Sequence, residues 1–493
     1  MPKQPSDNTE FAVSFKRFID AMYAESAKVG SPFLDRLREH FGVEPTALPV
    51  IAEEFQRYDH PNLQVALDAY VKVDGRSSSL VGIAAQNKRF MALQLSDLFS
   101  SGGPYGRLSE GPVDYVNFRL ADDAVLACVQ FGMYLITAGD ARLAAFVSGP
   151  PAQQMDPRAR LRLEVVAARR EDAEKMLRDI TVLMRERNVY RGKIISFAPG
   201  EFGVQGLVRF HHLPTISRDG IILPPELFAR IERHTVAFAE HTEALLAAGR
   251  SLKRGVLLYG PPGTGKTLTV MYLASRMPGR TVILTTGPGL GLIGSVAQFA
   301  RDLAPSMVVV EDVDLIAQER GLPGVPAHPL LFELLNQMDG LADDRDVLFL
   351  LTTNRPDILE PALAARPGRV DLVAEMPLPD AEGRRRLLEL YARGLTLEGV
   401  DLGRYVERTD GASPAYIKEL LRKAALLAAI DGSKAVRDEH LEGAMEELAA
   451  GGELAKRIVG FGGSAYLPPA PSVGPMRPAG FPEMTGGFRR ISG

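Results

Sequence analysis

Three short apolar runs interrupt an otherwise mixed chain: Val256 to Tyr259 in "RGVLLYGPP", Met307 to Val310 in "MVVVEDVD", and the run in "DVLFLLTTN" that ends at Asn354. None alternates with polar residues. Unbroken β-branched and aliphatic runs of this length predict parallel strands buried on both faces, and hence an α/β fold. Upstream the pattern differs. Residues 11 to 100 read as mostly helical, with breaks at "VGSP", "DHPN" and "VDGRSSS". From Tyr115 to Phe210 an α+β pattern follows, with strand candidates "AVLACVQFGMYLI", "RLAAFVS", "LRLEVVAA", "GKIISF" and "GLVRF". Between the third and fourth, Ala173, Met176, Leu177, Ile180 and Met184 recur at helical spacing and define one apolar face.

Further along, "LFARIERHTVAFAEHTEALLAAG" predicts an amphipathic helix ending at Gly249. It carries His234 and His241 on one face, where surface or packing roles are expected because no third metal ligand accompanies them. Beyond the last apolar run, Ser413-Pro414 supplies a cap and first residue for the helix "AYIKELLRKAALLAAIDG", with Ile417, Leu420, Leu421 and Ala424 on its buried face. "RRR" at 384 to 386 is expected to be a solvated helix face. From Gly451 onward Pro and Gly dominate without periodicity, which predicts a disordered tail. In that tail Tyr466, Phe481 and Phe488 are candidate docking points, an idle tail being the stronger expectation. The division expected is 1–114 mostly helical, 115–210 α+β, 211–375 a parallel-sheet domain, 376–450 a helical subdomain and 451–493 the tail.

The apolar runs end in polar chemistry. Glu311, Asp312 and Asp314 follow Val310 directly. Carboxylates are too costly inside a buried strand but suit the crevice beyond its carboxyl end, where open α/β sheets bind ligands. Acids placed there call for a cation. The first run is followed by "GPPGTGKT", the G-x-x-x-x-G-K-[ST] phosphate loop, flanked by the required strand and helix. Gly260, Gly263 and Gly265 let backbone N–H groups point at phosphate oxygens. Lys266 reaches the β- and γ-phosphates, and the Thr267 hydroxyl ligates Mg²⁺. Candidate triphosphate contacts are Gly260, Pro261, Pro262, Gly263, Thr264, Gly265, Lys266, Thr267 and Leu268. Glu311 and Asp312 then face the same ion and an attacking water, as the second half of a nucleoside-triphosphate site with Mg²⁺.

Taken with "LLNQMDGL", "TTNRPD" and "RPGRVD", these motifs resemble the AAA family of ATPases, in the clade with a second region of homology, over roughly residues 215 to 450. The resemblance implies an AAA+ core, a parallel sheet between helices, followed by a small helical lid and preceded by a helical and α+β N-terminal domain. It implies that the cofactors are ATP and Mg²⁺, with ATP bound by Gly260 to Thr267, that Glu311 holds Mg²⁺ through water together with Thr267, and that Asp312 polarises the attacking water. Asn354 matches the sensor that hydrogen-bonds the γ-phosphate or that water. Arg366 and Arg369 match arginine fingers that reach a neighbouring subunit's nucleotide, which implies a homo-oligomer, typically a hexamer. By position, the N-terminal domain would recruit a protein substrate or adaptor.

Four departures from the family pattern bear on function. Glu311-Asp312 reverses the usual Asp-Glu order, leaving the second acid one methylene shorter. "EPALAARPGR" has one residue more than the usual finger spacing. Leu292-Ile293-Gly294 stands where protein-unfolding members place an aromatic–hydrophobic–glycine triplet, so peptide threading is weakened. "ISRDGIILPPELF" replaces the Ile-Gly-Gly segment, leaving Ile216, Gly220 and Ile221 as adenine-pocket candidates.

Composition narrows the class. A formal net charge of −4 and no basic–aromatic interleaving argue against a nucleic-acid partner. The single cysteine, Cys128, lies in an apolar run and is expected to be inert core in a reducing compartment. The start "MPKQPSDNTE" has no apolar segment and no stretch approaches membrane-spanning length, so a cytoplasmic protein without a membrane partner is expected. The reading is a ring ATPase that remodels, disassembles or unfolds proteins. The alternative is a nucleotide-controlled ring that acts as a non-threading switch or on nucleic acid.

Overall fold

A computed structural model of the chain describes residues 11–18, 21, 32–84, 93–99, 109–121, 124–150, 160–197, 208–285, 292–314, 329–339, 345–357, 359 and 369–450. The described residues divide between two units, one drawn from Met1–Gly260 and Gly265–Pro377, the other from Pro261–Thr264 and Leu378–Gly493. The stretch 451–493, with Tyr466, Phe481 and Phe488, lies outside the described residues.

The first unit begins with an antiparallel sheet. Its elements are α1 (Pro32–Phe41), β1 (Val50–Phe55), α2 (His60–Val71), β2 (Arg76–Ala84), α3 (Leu95–Phe99), β3 (Ser109–Gly111), β4 (Asp114–Arg119), β5 (Val125–Ala138), β6 (Ala141–Ser148), β7 (Leu161–Ala167) and α4 (Arg170–Glu186). Strand order is β1-β7-β6-β5-β2-β3, with β4 also paired to β5. Alternation along β5 sends Phe131, Met133 and Leu135 to a core shared with α1 and α3, while Tyr134 and Ile136 join Leu63 and Met176 of α2 and α4 on the other face. Pairing with β4 skips Gln130, so Val129 changes phase and joins the second core. The five positions of α4 predicted to form its apolar face, Ala173, Met176, Leu177, Ile180 and Met184, are all buried.

Residues 50–55 and 76–84 are strands that the reading of residues 11 to 100 did not single out, set among helices that it expected. The reason is physical. "VIAEEF" lies on an edge with no fully buried position and sets Glu53 on the same face as Ile51 and Phe55, and "RSSSLVGIA" opens with an arginine and three serines, so apolar residues alternate in neither. Their conformation comes from pairing with β7 and β5 across the sheet.

A second, mostly parallel sheet holds β8 (Ile194–Phe197), β9 (Val208–Phe210), β10 (Arg254–Tyr259), β11 (Thr281–Thr285), β12 (Ser306–Val310), β13 (Val347–Thr353) and β14 (Leu372–Glu375), in the order β14-β10-β13-β12-β11-β8-β9. Around it pack α5 (Pro225–Glu232), α7 (Lys266–Ser275), α8 (Ile293–Asp302) and α9 (Pro329–Asp339), with a short α6 (Thr242–Ala247) after α5. The apolar runs are buried on both faces. Val256, Leu258, Met307, Val309, Leu348 and Leu350 meet Phe228 and Leu273 of α5 and α7, while Leu257, Val308, Val310, Phe349 and Leu351 meet Val296 and Phe299 of α8. The strands "GKIISF" and "GLVRF" hydrogen-bond onto this sheet, β8 running parallel to β11, rather than onto the antiparallel sheet before them. The expected single helix to Gly249 is interrupted. It loosens into a π turn at Arg233–Ala237 and breaks at His241, whose Nδ1 lies 2.7 Å from the Ala237 carbonyl.

A ring cluster joins the two sheets. Phe299 of α8 meets Tyr58, Tyr190 and Phe197 edge-on at centroid distances of 5.0, 5.4 and 5.1 Å. The Tyr190 hydroxyl donates to the Tyr58 carbonyl at 2.6 Å, and the Val189 N–H donates to Asn62 at 2.9 Å. At the amino-terminal ends of the parallel strands, Arg254 and Arg280 share the Asp346 carboxylate at 2.7 and 2.5 Å, all three largely buried. Desolvation pulls the Arg254 pKa down to about 10 despite that partner.

The second unit is helical, with α10 (Ala381–Tyr391), α11 (Leu402–Arg408), α12 (Pro414–Ile430) and α13 (Asp438–Ala450) and a two-residue parallel pair, β15 (Leu397–Glu398) with β16 (Val436–Arg437). Asp380 caps α10 by accepting from the Gly383 N–H at 2.7 Å, and Ser413 caps α12 by accepting from the Tyr416 N–H at 3.2 Å. Ile417, Leu420, Leu421 and Ala424 are buried as the spacing predicts. Arg384 corrects the expectation of a fully solvated "RRR". It is 7% exposed and donates to the Val406 and Pro379 carbonyls while pairing with Asp410. Among the described residues no helix is long and apolar enough to cross a membrane.

Candidate nucleotide site

Strand β10 ends at Tyr259, and the chain turns through Gly260, Gly263 and Gly265, with φ of 148°, 79° and 94°. These are left-handed conformations that side chains rarely adopt, so the glycines are needed where they stand. No side chain caps the first turn of α7, which begins at Lys266. Its leading N–H groups and the positive end of its dipole are therefore suited to an anion. Thr267 and Pro262 are exposed and Leu268 is half-buried. Within the second unit, Thr264 donates its hydroxyl to the Pro261 carbonyl at 2.9 Å, and the Ala415 N–H donates to the Gly263 carbonyl at 3.2 Å.

Lys266 is 7% exposed, and its ammonium donates to the Gly260 carbonyl at 2.8 Å. Burial pulls its pKa down to about 8, with Asp312 and then Asp314 acting in the opposite direction. Both acids thus lie within electrostatic reach of the ammonium. A measurable consequence follows. A polyphosphate favours the charged ammonium, so ATP affinity is level below pH 8 and weakens as pH rises past it. Between pH 7.5 and 9.5 the loss is on the order of 10-fold or more. Lys266→Arg, which stays charged, removes that slope. A pH-independent Kd of the unsubstituted chain over this range would contradict the assignment.

At the carboxyl ends of β12 and β13, Glu311 is half-buried and Asp312 exposed. The Glu311 N–H donates to the Thr285 carbonyl at 3.2 Å. Asp312 has φ 49°, a left-handed conformation that Asp tolerates better than most residues, and its N–H donates to the Thr352 hydroxyl at 3.2 Å. The Asn354 amide donates to the Asp312 carboxylate at 3.1 Å. Asp314, noticed in the sequence only as a third acid, is 6% exposed and accepts from the Thr353 hydroxyl at 2.7 Å. Sequence reasoning missed Thr352 and Thr353, although two hydroxyls in the last turns of a buried apolar strand were a visible anomaly.

The remaining candidates lie elsewhere. Arg366 is outside the described residues. Arg369 is half-buried at the opposite end of β10 from the phosphate loop: a Cβ on Gly255 would clash with the Arg369 carbonyl, and Asp371 bonds both ways with the Gly255 backbone. Ile293 is 1% exposed in the core beside Val296 and Phe299, and Leu292 packs against that core. The triplet Leu292-Ile293-Gly294 therefore opens α8 with its central side chain facing inward. Of the adenine-pocket candidates, Ile221 is buried and Ile216 packs beside it, while Gly220 ends a short turn. Arg218 stacks over Phe228 and donates to the Ile221 carbonyl. Cys128 is buried, and burial pushes its thiol up to about 12.

Comparison with known proteins agrees with this geometry. Residues 256–378 match the family described as "ATPase family associated with various cellular activities (AAA)", and residues 399–443 match the AAA+ lid domain. The ATP-dependent zinc metalloprotease FtsH 3 of Symbiobacterium thermophilum is 34% identical over 238 residues, 45% of this chain and 38% of that protein. The proteasome-activating nucleotidase of Pyrococcus horikoshii is 37% identical over 201 residues, 38% of this chain and 50% of that protein. The chain thus spans half or less of the length of these two relatives. The phosphate loop, the acidic strand end and the capped helical unit lie within the two segments, 256–378 and 399–443, that are similar to the AAA family and to its AAA+ lid domain.

Proposed function

We propose that the protein binds ATP with Mg²⁺ and hydrolyses it in a homo-oligomeric ring, most simply a hexamer, to remodel protein targets recruited by its amino-terminal domain. The observation that carries this reading is the convergence at one strand end: a buried Lys266 on the phosphate loop, Asp312 within its reach, and Asn354 bonded to Asp312. Gly260 to Leu268 hold the triphosphate, Thr267 and Glu311 hold Mg²⁺, and Asp312 and Asn354 position the attacking water. Bound Mg²⁺ neutralises charge on the β- and γ-phosphates. The names of the relatives, a metalloprotease and a proteasome activator, support a protein target, and the net charge of −4 speaks against nucleic acid.

The test begins with Lys266→Ala, which removes the charge aimed at the phosphates. ATP binding, followed by calorimetry or a fluorescent analogue, should be lost in that variant, and unchanged affinity would remove the site assignment. A second reading has one observation in its favour. Ile293 is enclosed rather than presented, which suits a nucleotide-controlled switch that changes shape without threading polypeptide.

A further inference from the structure

We propose that Asp314 and Thr353 form a buried brace that sets Asn354 against Asp312, which makes both of them positioning residues for hydrolysis. The inference rests on the reading of Asp312 and Asn354 as the water-positioning pair. Thr353 is fully buried, and its hydroxyl has two assigned partners. It accepts from the Arg355 N–H at 2.9 Å and gives its one hydrogen to the Asp314 carboxylate at 2.7 Å. The same carboxylate oxygen lies 3.4 Å from the Asn354 N–H. The backbone from Thr353 to Arg355 is therefore tied from beneath to the residue two positions beyond Asp312. Strand alternation turns the Asn354 side chain the other way, and there it donates to Asp312 at 3.1 Å. One residue earlier on β13, the Thr352 hydroxyl accepts from the Asp312 N–H at 3.2 Å. Two consecutive threonines thus stitch the ends of β12 and β13 from opposite faces, with the Asp312–Asn354 pair between them. A buried carboxylate is costly unless it is hydrogen-bonded, so its retention at 6% exposure asks for a role that an apolar residue could not fill. Fixing the relative height of two strand ends is such a role, because a displacement of about 1 Å at the reacting groups can cost on the order of 100-fold in rate.

The brace predicts a split between turnover and binding. Thr353→Val keeps shape and strand preference but removes the hydroxyl. In the full chain it should lower kcat by about 10-fold or more while the affinity for a non-hydrolysable ATP analogue stays within about twofold. Thr353→Ser should restore kcat. In an Asn354→Ala background Thr353→Val should cost nothing further, since its effect passes through Asn354. Asp314 gives an independent pair. Asp314→Asn keeps an acceptor oxygen and should retain most turnover, whereas Asp314→Ala should fall as far as Thr353→Val. Undiminished kcat in Thr353→Val, failure of Ser to restore it, or losses that add to Asn354→Ala would overturn the brace. Equal losses in Asp314→Asn and Asp314→Ala would instead assign the carboxylate to charge, as at a metal, and overturn it too. An unsubstituted chain that binds no ATP would remove the underlying nucleotide reading itself, an outcome distinct from all of these.

Discussion

Asp312→Asn leaves ATP bound and lowers turnover by about 100-fold or more. The substitution keeps size and leaves the backbone contact with the Thr352 hydroxyl intact, but it removes the charge that, in the proposed mechanism, draws a proton from the attacking water. Asp is one methylene shorter than the Glu usual at this position of the family, so its reach depends on the backbone that carries it. That backbone is the left-handed turn at φ 49°, which together with the Asn354 amide at 3.1 Å places the carboxylate at the mouth of the site. Glu311→Gln should behave differently, weakening the Mg²⁺ dependence of nucleotide binding rather than trapping ATP. The two variants are compared by single-turnover hydrolysis and by ATP retention on the purified chain. If Glu311→Gln traps ATP while Asp312→Asn loses Mg²⁺-dependent binding, the two roles are exchanged.

Arg369→Ala abolishes most turnover, by about 1,000-fold, and regains it when mixed with Lys266→Ala. The reason is distance. Gly255, against which the Arg369 carbonyl rests, and Gly260, which opens the phosphate loop, are separated by the length of β10. Five residues of strand span roughly 16 Å, farther than an arginine side chain reaches. Arg369 therefore stands too far from the phosphate loop of its own chain, and in the proposed ring it would serve the nucleotide of a neighbouring protomer. Arg254 is no substitute, because it lies at that same far end and is held by Asp346. In a mixed ring a Lys266→Ala protomer, which cannot bind ATP, still offers its arginine to a neighbour. Turnover is measured against protein concentration and then against mixing ratio. Constant specific activity down to a verified monomer, with no recovery on mixing, would remove both the ring and the shared finger.

Much of the core was written in the chain. Val256 to Tyr259, Met307 to Val310 and the run to Thr353 are strands because unalternated apolar residues can be satisfied only between two layers, and both layers are present. The phosphate loop was legible because its glycines have no conformational substitute. The helix caps were equally local: Ser413 acts within one turn of its partner. Chemistry confined to a few consecutive residues is what a sequence shows directly.

What it could not show is whatever depends on a distant partner. β1 and β2 are strands through pairing with β7 and β5, not through any period of their own. β8 and β9 read like the strands before them, yet they extend the parallel sheet, because the choice of neighbour lies in packing around Phe299 and not in the strand's composition. Arg384 looked solvated beside two other arginines until carbonyls from the neighbouring segments enclosed it. Ile293 sat at a motif position, and only packing showed that its side chain is enclosed in the core. Sequence alone determined the phosphate chemistry and the buried parallel sheet, since both follow from residue type at fixed local spacing. Only the tertiary structure decided which end of β10 holds Arg369, which hydroxyls hold Asp312 and Asp314, and which sheet each weak strand joins, because those depend on contacts between residues far apart in the chain.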